Sequence, residues 1–303
     1  MADLATGAPP SLTEPLARHA LTEAATRTEL PCDPVELIRI GSNAVFRIGA
    51  DLIARVASPT ASFATAEKQI RVARWLEAER YPATRAVDVA QPVEVDGCAV
   101  TFWRSVAPGT TYAPIGDVAR VIRQLHQLPP PVDLDLPEVQ PFGPAGSALP
   151  EFAGLPPDDA RFLRRQIEWA RETFPRLPFV LPRGVIHGDA NVGNVLVDEA
   201  GQPVLIDLDS FATGPREWDL IQTALFARRL GWHSESEYAE FVHVYGYDIT
   251  QWSGFEQLAD IREIAMTSWL SKKAADSEAT ANEAHRRIRD IRSGGPRTNW
   301  GAY

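Results

Sequence analysis

From residue 35 onward apolar and polar positions follow two different patterns along the chain. "VELIRIG", "AVFRIGA" and "DLIARVAS" are short runs dominated by Val, Ile, Leu and Phe between turns rich in glycine or polar residues. That is the pattern of strands. Phe63, Ala66, Ile70, Ala73 and Leu76 then recur at helical spacing, so a helix with one apolar face follows the third strand. Two more strands are predicted near 86–94 and 98–104, joined by "VDG". The order over 35–105 is therefore three strands, a helix and two strands.

After "APG" at 107–109 the helical period takes over. Val118, Val121, Ile122, Leu125 and Leu128 form a stripe, with Asp117 expected as its N-cap. A proline-rich stretch, 129–157, reads as loop or insertion, and Leu163, Ile167, Ala170 and Phe174 mark a further helix. Trp218, Ile221 and Leu225 share a face that Gly231 should close. Ser11 with Glu14, Ser234 with Glu237 and Ser253 with Glu256 have the spacing of capping boxes. A final helical region ends near Arg292, and "GGPRTNWGAY" reads as a tail. The pattern predicts a mixed α+β chain: a leader and helix over 1–34, a sheet-rich N-lobe over 35–105, a helical C-lobe over 106–292 and a tail over 293–303.

Composition narrows the partners. A net charge of -10 over 303 residues argues against nonspecific binding to nucleic acid or an anionic membrane; it is compatible with a cationic small molecule, although acidity is more often just a feature of solubility. Cys32 and Cys98 have no metal-ligand spacing. Prolines interrupt the N-terminal stretch where a signal peptide would be apolar, and no run of about 18 apolar residues occurs. The expected location is the cytoplasm; the sequence does not set an oligomeric state.

The chemistry is concentrated in "VIHGDANVGNVLVDEAGQPVLIDLDSF", Val185 to Phe211. Its apolar runs predict a hairpin of Val195–Val197 and Val204–Ile206 turning at Gly201, where Asp198 is ordinary turn chemistry. A hairpin sets the loop before its first strand near the end of its second, so Asp189, Asn194 and Asp207 should converge. Carboxylates removed from water need a compensating partner. Hard oxygen ligands so gathered suit Mg²⁺, which takes one or two protein groups and completes its shell with water and phosphate oxygens. Asp189, close to the metal but not bound to it, can then orient and deprotonate a hydroxyl. His187 reads as a hydrogen-bonding residue of the loop rather than as a base.

"HGDANVGN" followed by "IDLDS" resembles the catalytic loop and metal-binding segment of the aminoglycoside phosphotransferase and choline kinase superfamily. These are small-molecule kinases with a protein-kinase-like bilobal fold. The resemblance covers about 35–292 and is sharpest over 187–219. It implies ATP and Mg²⁺ as cofactors, Asp189 as base, and Asn194 and Asp207 as metal ligands. It leaves Asp209 two roles, support of the site through another residue or direct contact with metal or substrate. Asp219, in "GPREWDL", matches a family aspartate that anchors the catalytic loop.

The strand order over 35–105 is that of a kinase N-lobe, and "GSNAVFRI" would cover the phosphates. There Gly41 permits close approach, and Ser42 and Asn43 offer donors. Arg55 stands where protein kinases carry a lysine, as in choline-kinase-like members, and can grip phosphates bidentately. Glu67, beside the apolar face of the helix, is either the partner of Arg55 or a solvated glutamate. By position the linker groups that read adenine belong to Ser105 and Ala107, while Trp103 reads as core. The implied acceptor is a hydroxylated small molecule, such as an antibiotic, an aminosugar or an amino alcohol, bound by 129–160 and the helices after 215.

Two alternatives from other classes stay open. His187, Asp189, Asp207 and Asp209 are residue types a metal-dependent phosphoesterase would use, although a two-metal site usually gathers more ligands. A kinase fold without activity, serving as a binding module, is the other. No Walker-A motif and no A-P-E segment occurs.

Overall fold

The short apolar runs become one antiparallel sheet. The computed structural model describes residues 12–41, 43–59, 61–143 and 146–302. Strands β1 (Val35–Ile40), β2 (Asn43–Ile48), β3 (Leu52–Ala57), β4 (Val93–Val95) and β5 (Cys98–Arg104) are ordered β1-β2-β3-β5-β4. Ala44, Phe46 and Ile48 of β2 and Leu52, Ala54 and Val56 of β3 are buried, every second residue, as a sheet covered on one face requires. The cover is α1 (Glu14–Arg27), whose Ala17, Ala20, Leu21 and Ala24 join the same core. Thr13 caps α1 by accepting the Leu16 N–H at 3.5 Å. The Ser11 cap and the leader expected before it lie outside the described residues.

Helix α2 (Phe63–Ala78) buries Ala66, Ile70, Ala73 and Leu76, but Phe63 at its first position stays exposed. The strand expected over 86–94 shrinks to β4. Proline lacks the N–H a ladder needs, and Pro92 interrupts the run. The Gln91 side chain takes over: its amide accepts the Phe102 N–H at 2.7 Å and donates to the Val87 carbonyl at 2.6 Å.

Further along come α3 (Ile115–Leu125), α4 (Pro157–Thr173), β6 (Arg183–Ile186), β7 (Val195–Val197), β8 (Pro203–Leu205) and β9 (Ala212–Pro215). Helices α5 (Glu217–Leu225), α6 (Glu235–Tyr245), α7 (Phe255–Lys272) and α8 (Glu278–Ser293) complete the chain. β6 pairs antiparallel with β9, and β7 with β8 in the expected hairpin. The Ser234–Glu237 capping box is present. Two other caps differ from expectation. Pro114 rather than Asp117 precedes α3, so Asp117 sits inside the first turn, paired with Arg120. α7 starts after Gly254, which leaves Ser253 and Glu256 out of register for a box. A Cβ on Gly254 would meet the Trp252 ring at 2.4 Å, so only glycine fits there. Among the described residues no helix is long and apolar enough to cross a membrane.

The chain divides into two compact units at places other than the expected boundaries. The first holds the chain up to Ala113, Pro131–Asp135 and Val192–Phe211; the second holds Pro114–Pro130, Leu136–Asn191 and everything from Ala212. Thus α1 and the β7–β8 hairpin belong with the sheet. For α1 the reason is the shared apolar core, and for the hairpin it is backbone hydrogen bonding. The Ala113 N–H donates to the Val195 carbonyl at 2.9 Å and the Val197 N–H to Thr111 at 2.8 Å. Leu205 donates to Pro82 at 2.9 Å and accepts from Thr84 at 2.8 Å.

The segment read as a tail is also ordered within the second unit. Trp300 is buried, its indole donating to Asp290 at 3.2 Å, with the Arg287 guanidinium 5.0 Å from its ring centroid. Arg297 donates to the buried Glu263 at 3.0 Å.

Candidate active site

In the second unit, β6 leads directly into His187, Gly188 and Asp189. Gly188 has φ of 84°, a left-handed conformation that favours glycine. Its N–H donates to Asp219 Oδ1 at 2.8 Å, and the His187 N–H donates to Asp219 Oδ2 at 2.7 Å. Asp219 lies in the first turn of α5, fully buried, and shares Oδ2 with the Nε2 of His126 at 3.0 Å. Burial by itself would raise the Asp219 pKa. The hydrogen bond and charge of His126, then those of His187, outweigh it and hold the carboxyl below the usual range.

His187 is wholly buried, and its Nδ1 accepts the Asp189 N–H at 3.3 Å, so its ring serves the loop. The Asp189 carboxylate is 42% exposed, and its Oδ1 accepts from Arg262 Nη2 of α7 at 2.5 Å. Arg262 was not singled out from sequence. Its signal is a charge set among Leu258, Ile261 and Ile264 on a buried helical face.

In the first unit, Asn194 ends a single helical turn, and its carbonyl accepts the Ile206 N–H at 2.9 Å. This sets the Asn194 backbone beside the residue preceding Asp207. Asp207 has φ of 61° and ψ of 67°, a conformation uncommon outside glycine. Its Oδ1 lies 3.3 Å from Arg55 Nη2, and the same nitrogen donates to Asp209 Oδ1 at 3.1 Å. Arg55 Nη1 donates to Gln69 Oε1 at 3.3 Å. Glu67, the expected partner, is exposed instead. Residues two apart on a helix point in nearly opposite directions, and α2 turns Gln69 inward. Burial opposes the Arg55 charge, but Asp209 and Asp207 outweigh it and raise its pKa. The Asp209 carboxyl is pushed up to about 6, first by burial, with Asp207 adding to the rise and Arg55 opposing it. Lys68 Nζ donates to the carbonyls of Asp209 at 2.8 Å and Phe211 at 2.9 Å, tying α2 to this segment.

Gly41 donates its N–H to the Asn43 carbonyl at 3.0 Å, at the turn from β1 into β2. A Cβ there would meet nothing within 4 Å, so any need for glycine comes from a ligand. Ser42 lies outside the described residues. The Ser105 N–H donates to the Asp51 carbonyl at 2.7 Å, and the Ala107 carbonyl accepts from Ser105 Oγ at 3.0 Å. The Ser105 carbonyl and the Ala107 N–H carry no hydrogen bond among the described residues. One acceptor and one donor two residues apart match the donor and acceptor on one edge of adenine. Trp103 is buried, as expected of core.

The donor set fits Mg²⁺. Among the described residues no group of three or more His, Cys, Asp or Glu gathers for a metal. A cation here would rest on the Asp207 carboxylate, the Asn194 side-chain oxygen, and oxygens of nucleotide and water, as Mg²⁺ prefers.

The model of the phosphotransferase enzyme family (APH) matches residues 35–259. A search of curated proteins finds no match. Among solved structures, the chain resembles the amicoumacin kinase hAmiN in complex with AMP-PNP, Ca2+ and Ami. The TM-score is 0.68 at 15% identity, covering 93% of this chain and 94% of that one. The choline kinase LicA from Streptococcus pneumoniae aligns with a TM-score of 0.61 at 13% identity over 90% of this chain and 98% of that one. Spectinomycin phosphotransferase APH(9)-Ia, in complex with ADP and spectinomycin, aligns with a TM-score of 0.57 at 14% identity, over 84% and 88%. These likenesses establish a protein-kinase-like α+β fold, and with the match over 35–259 the chain belongs to the phosphotransferase enzyme family.

Proposed function

We propose that the protein transfers the γ-phosphoryl group of ATP to a hydroxyl of a small molecule. The observation that carries this reading is the pair of residues following β6 and β8. Asp189 stands in a loop whose backbone is held by Asp219. Asp207 stands in a left-handed turn facing Arg55. The two candidate ligands and the base lie on one stretch, Asp189 five residues before Asn194.

In this reading Asp189 orients the acceptor hydroxyl and takes its proton as the oxygen attacks phosphorus. The acceptor O–H bond breaks, an oxygen–phosphorus bond forms, and the bond between the γ-phosphorus and the bridging oxygen breaks to release ADP. Asn194 and Asp207 would hold Mg²⁺, which neutralises phosphate charge when bound. Arg55 binds phosphate oxygens, helped by Gly41, Ser42 and Asn43 of "GSNAVFRI". The Ser105 carbonyl and Ala107 N–H read the adenine edge. Asp209 supports the site through Arg55, standing in for the helix carboxylate expected at Glu67. His187 and Asp219 shape the loop. The phosphoesterase reading loses support because His187 is engaged with Asp189, and Asp209 with Arg55.

The acceptor is a hydroxylated molecule, and the acidic chain favours one bearing an amine. The test is ADP release from MgATP across a panel of hydroxylated antibiotics, aminosugars and amino alcohols. The expected result is acceptor-dependent turnover by the wild type and, for Asp189→Asn, a loss of about three orders of magnitude with nucleotide binding kept. An Asp189→Asn variant within about tenfold of wild type would remove Asp189 from the base role.

A further inference from the structure

Arg262 lies beyond residue 259, the last that the family match covers, and the resemblance gives it no role. Its side chain is 8% exposed and sits 4.9 Å from the Trp218 ring centroid. A guanidinium taken out of water is destabilising unless a charge and hydrogen bonds answer it. Here the answering charge is Asp189, at 2.5 Å, and the other acceptors are Gln222 Oε1 and, at 3.4 Å, the Gly188 carbonyl. Trp218 Nε1 donates to that same carbonyl at 2.9 Å. Among the described residues the Nε of Arg262 is buried without a partner, so the side chain is satisfied at its fork and not along its stem. The loop is thus held from two sides. Asp219 takes the N–H groups of His187 and Gly188, while Arg262 takes the Gly188 carbonyl and the Asp189 carboxylate.

We infer that Arg262 is a positioning residue for phosphoryl transfer, fixing the rotamer of the Asp189 carboxylate through Oδ1 so that the carboxylate meets the acceptor hydroxyl in one orientation. The inference rests on the reading of Asp189 as the base. Positioning of this kind acts on turnover, because misplacing a reacting group by about an ångström costs on the order of a hundredfold. A residue that merely supports the fold would instead lower stability and affect nucleotide binding and turnover together.

The experiment uses the full chain and MgATP, with water standing in for the acceptor hydroxyl at the slower basal rate, measuring steady-state ADP release, with thermal unfolding recorded for each variant. Arg262→Ala is expected to lower kcat by about thirtyfold or more while the KM for ATP stays within about threefold. Arg262→Lys keeps the charge and loses the fork, and should recover part of the loss. The deciding measurement is the double variant. If Arg262 acts through Asp189, Asp189→Asn with Arg262→Ala turns over within about threefold of Asp189→Asn alone. A double variant slower by the full factor of the single Arg262 change overturns the inference, as does Arg262→Ala with kcat near wild type. Those results leave Asp189 as the base. A nearly unaffected Asp189→Asn overturns both readings, so the two failures are told apart.

Discussion

Asp219 performs no chemistry in this reading, yet it decides where Asp189 stands. It is a fully buried carboxylate answered by two backbone N–H groups and His126. Asp219→Ala would leave those donors buried and unanswered, and a loss of about 3–5 kcal/mol is expected in denaturant unfolding. Its pKa lies below the unfolded value, so its contribution to stability is present at neutral pH and declines as pH falls below about 4, through the depressed folded pKa. Acid unfolding curves of wild type and Asp219→Asn should therefore converge at the lowest pH values and separate above them.

Arg55, Asp207 and Asp209 form a second set. Asp207→Asn should weaken Mg²⁺-dependent nucleotide binding directly, whereas Asp209→Asn should act by loosening Arg55 and cost less. A Mg²⁺ titration of nucleotide binding that ranks them in the opposite order would move the metal role to Asp209. Arg55→Ala is expected to raise the KM for ATP and lower turnover by about 2–4 kcal/mol combined, and Arg55→Lys to restore part of it. Unchanged ATP kinetics in the alanine variant would remove Arg55 from the phosphates.

At the scale of elements, what could be read from sequence was what repeats over short distances. Short apolar runs gave β1, β2, β3 and β5, and the stripe of Ala66, Ile70, Ala73 and Leu76 gave α2. The helical period also puts Gln69 inside that stripe and Glu67 outside it, but it does not say that Arg55 is the partner of Gln69. Lys68 reaches a segment 141 residues away, and Arg262 reaches Asp189 across 73 residues. No local period encodes such pairs. The H-G-D loop and its aspartates were legible because their spacing is itself local. The end of the chain was misread for a related reason: "GGPRTNWGAY" has loop composition, but Trp300 packs against Arg287 of α8. Trp300→Ala should lower stability by about 3–5 kcal/mol, as truncating a buried tryptophan does, measured by thermal or urea unfolding. An unchanged midpoint would mean the packing contributes nothing.

At the scale of the whole molecule, neither compact unit is a continuous segment. The chain passes between them after Ala113, Pro130, Asp135, Asn191 and Phe211. The two candidate metal ligands belong to the first unit and the candidate base to the second, although a few residues of chain separate them. A fragment ending at Ala113 lacks β7 and β8, and leaves without partners the backbone groups of Pro82, Thr84, Thr111 and Ala113 that meet them. Such a fragment should lack a cooperative unfolding transition, while co-expression with the remainder of the chain should recover one.

That late hairpin also bears on synthesis. The sheet strands leave the ribosome first, but the unit they belong to gains its last strands only after Leu205 has been made. During translation of everything between Ala113 and Val192 the backbone groups of Pro82, Thr84, Thr111 and Ala113 wait without their partners in the hairpin. The first unit begun is therefore not the first that can be completed, and the wait is set by the position of the hairpin along the messenger rather than by the strength of any contact within the sheet.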